Sequence, residues 1–294
     1  MVDICCIGHI TLDKVITPSS EVHMPGGTSF YFSYALHKMH VGYRLITALA
    51  EKEHYIVDQL MAEGLRVTAL TSQHTVCFEN IYSEDQDHRT QRVTQKADAF
   101  RPDQLSNVNS RIFHLGPLLA DDIPLDVIKF LAAKGTLSLD VQGYLREVNN
   151  EKVLAIDWPE KAEALKFVDI LKANDAEMEV LTGISDIYEG AKNLAAMGVK
   201  EVVITLGSKG SLIYSGGVFY EIPAYPPSAV VDATGCGDTY MAGYLFQRSK
   251  GSGIRESGEF AAAMASLKIE TSGPFKGSSE MVADLLEKVK LQVR

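Results

Sequence analysis

The chain of 294 residues is 46% hydrophobic and carries 28 Lys and Arg against 38 Asp and Glu, a formal net charge of −10. That length and apolarity suffice for a sizeable core near the upper size of one domain, so one domain over residues 1–294 is expected. The acidic balance excludes a general affinity for nucleic acid or for an anionic membrane surface, but it leaves room for a local phosphate site, where a few amides and a magnesium ion override a diffuse field.

VDICCIG opens the chain as a buried strand. Cys5 and Cys6 are neighbours on it and point to opposite faces, so they are poorly placed to bridge each other. With Cys77 and Cys236 they form no CxxC pair. MVDICCIGHI has no cationic n-region or long apolar h-region, and no apolar run is long enough to span a bilayer. A reduced, cytoplasmic enzyme is the expectation.

Residues 10–25, ITLDKVITPSSEVHMP, look like antiparallel β material, and PGGTSFYFSYAL then starts a helix after Gly26 and Gly27. YRLITALA reads as a strand and HYIVDQLMAEGL as a helix. Residues 75–95, TVCFENIYSEDQDHRTQRVTQ, form a second antiparallel stretch with a hairpin around Glu84 to His88. From there strands (RIFHLG, TLSLDVQG, FVDILKAN, EVVITLG) alternate with helices (IPLDVIKFLAAKG, AEMEVLTG, IYEGAKNLAAMGV), and a hairpin turns through Ser215, Gly216 and Gly217. VVDATGCGDTYMAGYL then joins a strand-like run to a helix, and SGEFAAAMASLKIE and SSEMVADLLEKVKLQV close the chain. The alternation predicts an α/β fold, a three-layer, mostly parallel, Rossmann-like sheet with helices on both faces. Residues 10–25 and 75–95 would form a separate small antiparallel β sheet. It serves either as a lid over the end of the main sheet or as an edge decoration.

Four stretches carry candidate chemistry. Gly235, Cys236 and Gly237 put bare amides at a helix start, a cradle for an anion, with Asp238 against it; the plainer alternative is a turn with Asp238 as a cap. Thr205, Gly207 and Gly210 follow a strand, where glycines admit a ligand to the main chain and a hydroxyl can donate to phosphate. Asn174 and Glu177, three apart at a helix start, suit either the water shell of magnesium or a dipole and cap role. Asp13 can accept from two adjacent hydroxyls of a sugar or polyol lying on Gly26 and Gly27, or is a surface acid. Asp13, Asn174, Thr205 and Asp238 all follow the carboxyl ends of predicted strands, the edge at which open α/β sheets bind ligands.

DATGCGD, with PGG, NDAE and TLGSKG in this order, resembles the ribokinase-like (PfkB) carbohydrate kinases, whose signature is commonly DTxGAGD. The resemblance covers nearly the whole chain. It implies a ribokinase-like fold and transfer of the γ-phosphoryl group of ATP to a hydroxyl. It makes Asp238 the general base and the amides of Gly235, Cys236 and Gly237 the anion hole. Asn174 and Glu177 would hold magnesium waters, Thr205, Gly207 and Gly210 would lie along ATP, and Asp13, Gly26 and Gly27 would hold the acceptor. It also implies a monovalent cation such as potassium near the anion hole as a candidate activator, while an exposed lid sheet would itself offer a homodimer surface.

The departures bear on the acceptor. Cys236 replaces a usual alanine, placing an oxidisable thiol beside phosphate, and Ala233 a usual threonine. Tyr31 takes the asparagine position of the family's GGxxxN, which removes an amide and adds an aromatic face. GHITLD, PGGTSFYFSYAL and LDVQGYLR look closer to the branch with myo-inositol kinase-like members, with Gln142, Arg146 and Arg89 as further substrate candidates. The alternatives are a nucleoside kinase of the same fold, with Tyr31 and Phe30 stacking on a base, and a non-catalytic relative that binds sugar or nucleotide. CIGHITLD lacks GxGxxG, which excludes a dinucleotide oxidoreductase.

Overall fold

Strand and helix patterns resolve into two sheets. The computed structural model describes residues 1–17, 20–82 and 89–292. Its strands are β1 (Val2–Ile7), β2 (Thr11–Thr17), β3 (Ser20–Gly26), β4 (Tyr43–Ala50), β5 (Val67–Ser72), β6 (Cys77–Tyr82), β7 (Arg89–Gln95), β8 (Ser110–Leu115), β9 (Thr136–Asp140), β10 (Arg146–Asn149), β11 (Lys152–Ala155), β12 (Ile170–Asn174), β13 (Glu201–Thr205), β14 (Ser211–Ser215) and β15 (Val218–Ile222). The helices are α1 (Thr28–His37), α2 (His54–Ala62), α3 (Leu125–Ala132), α4 (Lys161–Ala164), α5 (Asp175–Thr182), α6 (Ile187–Ala196), α7 (Cys236–Ser249), α8 (Ile254–Ile269) and α9 (Ser279–Gln292).

The main sheet has nine strands in the order β15-β14-β13-β12-β9-β8-β1-β4-β5. β13 through β5 run parallel, and the β14–β15 hairpin adds an antiparallel edge. Alternation along β1 divides the core. Ile4 and Cys6 face the layer containing α1, α2, α7, α8 and α9, and Cys5 and Ile7 face the layer of α3 to α6. Cys5 and Cys6 therefore lie on opposite faces, and all four cysteines are free thiols.

The small sheet has six strands in the order β10-β11-β7-β6-β2-β3. It differs from the sequence expectation in two respects. β2 and β6 pair in parallel rather than antiparallel, because both strands leave the main sheet in the same direction. A third segment, β10 and β11, also joins it, since the chain passes from β9 through a short turn straight into the small sheet. Val76, Phe78, Val93, Leu118 and Leu119 form its own apolar core. Pro18 and Ser19, the hairpin expected around Glu84 to His88 and the side chain of Arg89 lie outside the described residues.

Candidate active site

β9, β12 and β13 are neighbours in the main sheet, so their last residues share one rim. Asp140 stands level with Lys172, and Asn174 with Thr205. A cleft of about 600 Å³ opens over this rim. It is lined by Asp13, Gly27, Tyr31, Gln142, Asn174, Thr205, Gly207, Gly235, Gly237 and Asp238 from the sequence-predicted set. Arg146, a further sequence candidate, lines it too, and Thr11, Thr28, Phe78, Gln91, Leu118, Asp140 and Lys172 are among the rest of its wall. A second cavity of about 690 Å³ is mainly apolar, with Tyr225, Pro226, Pro227, Val230 and Ile269 along it. Gly210 and Cys236 line only this second cavity, whereas Thr205, Gly207, Ala233 and Gly237 line both.

The two cavities meet at the start of α7. Gly235 precedes the helix with φ +76, a left-handed conformation that glycine adopts without a Cβ penalty. Among the described residues, no protein acceptor meets the N–H groups of Gly235 and Gly237. The Cys236 N–H differs from the expectation: it donates to the Ala233 carbonyl at 3.2 Å, closing the turn. Two of the three expected amides are thus available to an anion. The loop owes its shape to Asp232, whose Oδ1 accepts from the Thr234 N–H at 2.9 Å.

Asp238 lies in the first turn of α7, on the acceptor side of this junction. Burial, with the Asp140 charge beside it, pushes its carboxyl up to about 7 against the lowering effect of Lys172 and of a hydrogen bond from the Thr28 hydroxyl. Lys172 is buried on β12, with Nζ 3.0 Å from Asp140 Oδ2 and 3.7 Å from Glu177 Oε2. Burial works against its charge, but Asp140, Glu177 and Asp238 together raise its pKa above the ordinary value. A β-carbon built on Gly237 would sit 3.4 Å from its Nζ, so the ammonium lies beside the amide cradle.

Asn174 and Glu177 cap α5 reciprocally. Asn174 Oδ1 accepts from the Glu177 N–H, and Glu177 Oε2 from the Asn174 N–H, both at 2.7 Å. Burial raises the Glu177 pKa, against the lowering effect of Lys172. Glu177 sits behind Lys172 and does not line the cleft. Gly26 also stays off the cleft surface, because the space a β-carbon would take is filled by Asp13 Oδ2 at 2.7 Å and Thr11 Oγ1 at 3.0 Å. Phe30 is buried edge-on against Tyr31 and Tyr34. It does not reach the cleft, so the expected base stacking by Phe30 has no surface to act on.

The sequence reading missed Lys172, Asp140, Thr28 and Thr11. A lysine inside the apolar run ILKAN and an acid closing TLSLD were the available signals, since charges in a buried strand require partners.

The pattern of the pfkB family carbohydrate kinases matches residues 2–280. The chain belongs to that family. It is a phosphotransferase with an alcohol group as acceptor. A cytidine kinase of Thermococcus kodakarensis is 30% identical over 268 residues, covering 87% of this chain and 92% of that protein. A pyrophosphate-dependent kinase of the ribokinase family, solved with a pyrophosphate analog and myo-inositol, superposes with a TM-score of 0.83 at 29% identity and covers 96% of this chain and 99% of its own. Arabidopsis thaliana ribokinase, complexed with ribose and ATP, shares the fold with a TM-score of 0.80 at 23% identity over 97% of this chain and 99% of its own.

Proposed function

We propose that the chain transfers the γ-phosphoryl group of ATP to a hydroxyl of a sugar or cyclic polyol. The observation that carries this reading is the junction of the two cavities. An apolar pocket sized for a nucleoside and a polar cleft share Thr205, Gly207, Ala233 and Gly237, with Asp238 on the polar side. The polar cleft suits an acceptor rich in hydroxyls: Asp13 and Gln142 line it, and Thr11 Oγ1 is a buried hydroxyl without a partner among the described residues.

In this reading Asp238 takes the proton of the acceptor hydroxyl as its oxygen attacks the terminal phosphorus, and the bond from that phosphorus to the bridging oxygen breaks to release ADP. A base that titrates near neutrality is well matched to this task. The Gly235 and Gly237 amides and the Lys172 ammonium meet the charge on the transferring group. Gly210, with φ +93, lets the chain turn tightly beside the donor pocket, where a β-carbon would lie 2.1 Å from the Ile222 carbonyl. The amide and carboxylate donors fit a magnesium ion bound through its water shell. Asn174 and Asp140, on the cleft wall, would hold those waters, whereas Glu177, expected to join them, stays behind Lys172; the ion would screen the donor phosphates.

The acceptor side admits a second occupant. Phe78 and Leu118 give the cleft an apolar wall, and the similarity to a cytidine kinase supports testing nucleosides beside polyols. Release of ADP or phosphate is to be measured over pentoses, hexoses, inositols and nucleosides, with ATP or pyrophosphate as donor. Turnover with ATP and a sugar or inositol, abolished in Asp238→Asn, supports the proposal. Turnover confined to nucleosides moves the acceptor, and turnover confined to pyrophosphate removes the donor assignment. The reading includes a cytoplasmic location, consistent with four free cysteines. Among the described residues, no helix is long and apolar enough to cross a membrane. It also includes pairing of two chains through the small sheet, where Val22 and Met24 are exposed on the edge strand β3.

A further inference from the structure

Beneath the loop of residues 232–235 lies a charge that the reaction described above does not use. Lys268, in the last turn of α8, has no exposed surface. Its Nζ donates to the Asp232 carbonyl at 2.8 Å and lies 3.3 Å from Asp232 Oδ2. The same Asp232 organises the loop: Oδ1 accepts from the Thr234 N–H and Oδ2 from the Gly273 N–H at 3.2 Å. Its own N–H and that of Val231 donate to the Ile269 carbonyl at 3.2 and 2.9 Å. A carboxylate, a carbonyl and the negative end of a helix dipole thus converge on one buried position, and such a position demands a cation.

The chain's resemblance to its family raised potassium as a candidate for a place near this loop. The residues present do not fit it, because the place is filled by a covalently tethered ammonium. We infer that Lys268 is a positioning residue, an internal cation that holds the 232–235 loop in its anion-binding shape and makes the enzyme independent of added potassium. It acts through Asp232 and Thr234 on the Gly235 amide and does not touch the reacting groups. The inference rests on the assignment of that loop as the anion hole.

The experiment compares kcat and Tm in potassium chloride and in tetramethylammonium chloride at equal ionic strength. The parent enzyme is expected to show the same kcat and the same Tm in both. Lys268→Ala, which leaves a vacancy lined by oxygen, is expected to lose roughly 10- to 100-fold in kcat in tetramethylammonium chloride, a step below the loss of a direct oxyanion donor, with little change in KM. Potassium should restore kcat in this variant and raise the Tm of the unliganded protein. Lys268→Met fills the vacancy with an apolar chain, and potassium should restore nothing. A merely structural ion pair would give no rescue of kcat by a salt.

Saturable activation of the parent by potassium would overturn the inference, as would a Lys268→Ala enzyme with full kcat in both salts. A potassium-dependent Tm in Lys268→Ala without a potassium-dependent kcat would also overturn it. Should Lys268→Ala not fold, the comparison of salts on the parent decides alone. A parent inactive with every acceptor strikes at the proposed reaction instead, and the Tm comparison then still tests the tethered cation.

Discussion

The ring of Tyr31 lies directly against the α-carbon of Gly235. A β-carbon on Gly235 would fall 2.3 Å from Tyr31 Cδ1. Helix α1, which carries the acceptor-side residues, is therefore packed onto the loop that offers amides to the donor. The aromatic face that replaces the family's asparagine is partly used up in this contact, and what remains lines the cleft.

Gly235→Ala is expected to lose about 100-fold or more in kcat, because it moves an anion-hole amide. Two independent causes act: the clash with Tyr31 and the positive φ of +76. A left-handed alanine costs about 1 kcal/mol, so the folded protein should survive. Tyr31→Ala added to Gly235→Ala removes only the clash and should restore only part of the rate. Steady-state kinetics of the two single variants and the double variant check this; full recovery would mean that backbone conformation does not matter there.

Asp238 supplies a prediction in pH. Its carboxyl is pushed up to about 7, so kcat/KM should fall as the pH drops below about 7, the acid limb reporting protonation of the base. Asp238→Asn should lose about 100- to 10,000-fold. The stability sign is opposite to that of a salt-bridged acid. The unfolded carboxyl ionises near its usual 3.8, so the folded protein holds the extra proton between about 4 and 7 and stability declines as pH rises through that window. At pH 8 the asparagine variant should therefore melt higher than the parent, by roughly 2–4 °C for each kcal/mol gained. Near pH 4 this difference should shrink. Thermal melts at the two pH values measure it.

Asp238 was legible because glycines and an acid at a helix start have few other uses, although the buried strand expected at Val230 and Val231 is an exposed loop; the rim residues Asn174 and Thr205 followed from strand ends alone. Lys172 was not, since its partners Asp140 and Glu177 come from a neighbouring strand and the following helix, and no local pattern announces such pairing. Lys268 was hidden differently: one lysine in an alanine-rich helix reads as a solvated charge. Its seat under the loop, against the carbonyl and carboxylate of Asp232 some 36 residues earlier, shows only in the folded chain. Gly26 misled for a related reason, because room beside a glycine can be claimed by the protein's own Asp13 and Thr11 as readily as by a substrate.

Lys172→Met should lower stability by about 3 kcal/mol, since it leaves Asp140 and Glu177 buried without their cation. Urea unfolding measures this loss. Lys172 also holds the Asp238 pKa down. Its removal should therefore move the acid limb of the kcat/KM profile to higher pH, a change that loss of stability alone does not produce. An unmoved acid limb would mean that Lys172 and Asp238 do not sense each other.

Cys236 ends with a prediction of inertness. A thiol next to a phosphate site suggests easy oxidation, but thiols react as thiolates. Burial pushes this one up to about 11; Lys268 lowers it, while Asp232 and Asp238 raise it. The S–H instead points to the Ala265 carbonyl at 3.9 Å. At neutral pH the thiolate fraction is negligible, so the folded enzyme should resist iodoacetamide and mild peroxide at this position. The Cys236 N–H serves the turn through Ala233, which an alanine provides equally well. Cys236→Ala should therefore keep kcat within about twofold, since it trims a donor-pocket wall and leaves the turn and the free amides in place. Peptide mapping after alkylation tests the first expectation and kinetics of the variant the second; rapid alkylation protected by ATP would show instead that the thiol is ionised at the donor site.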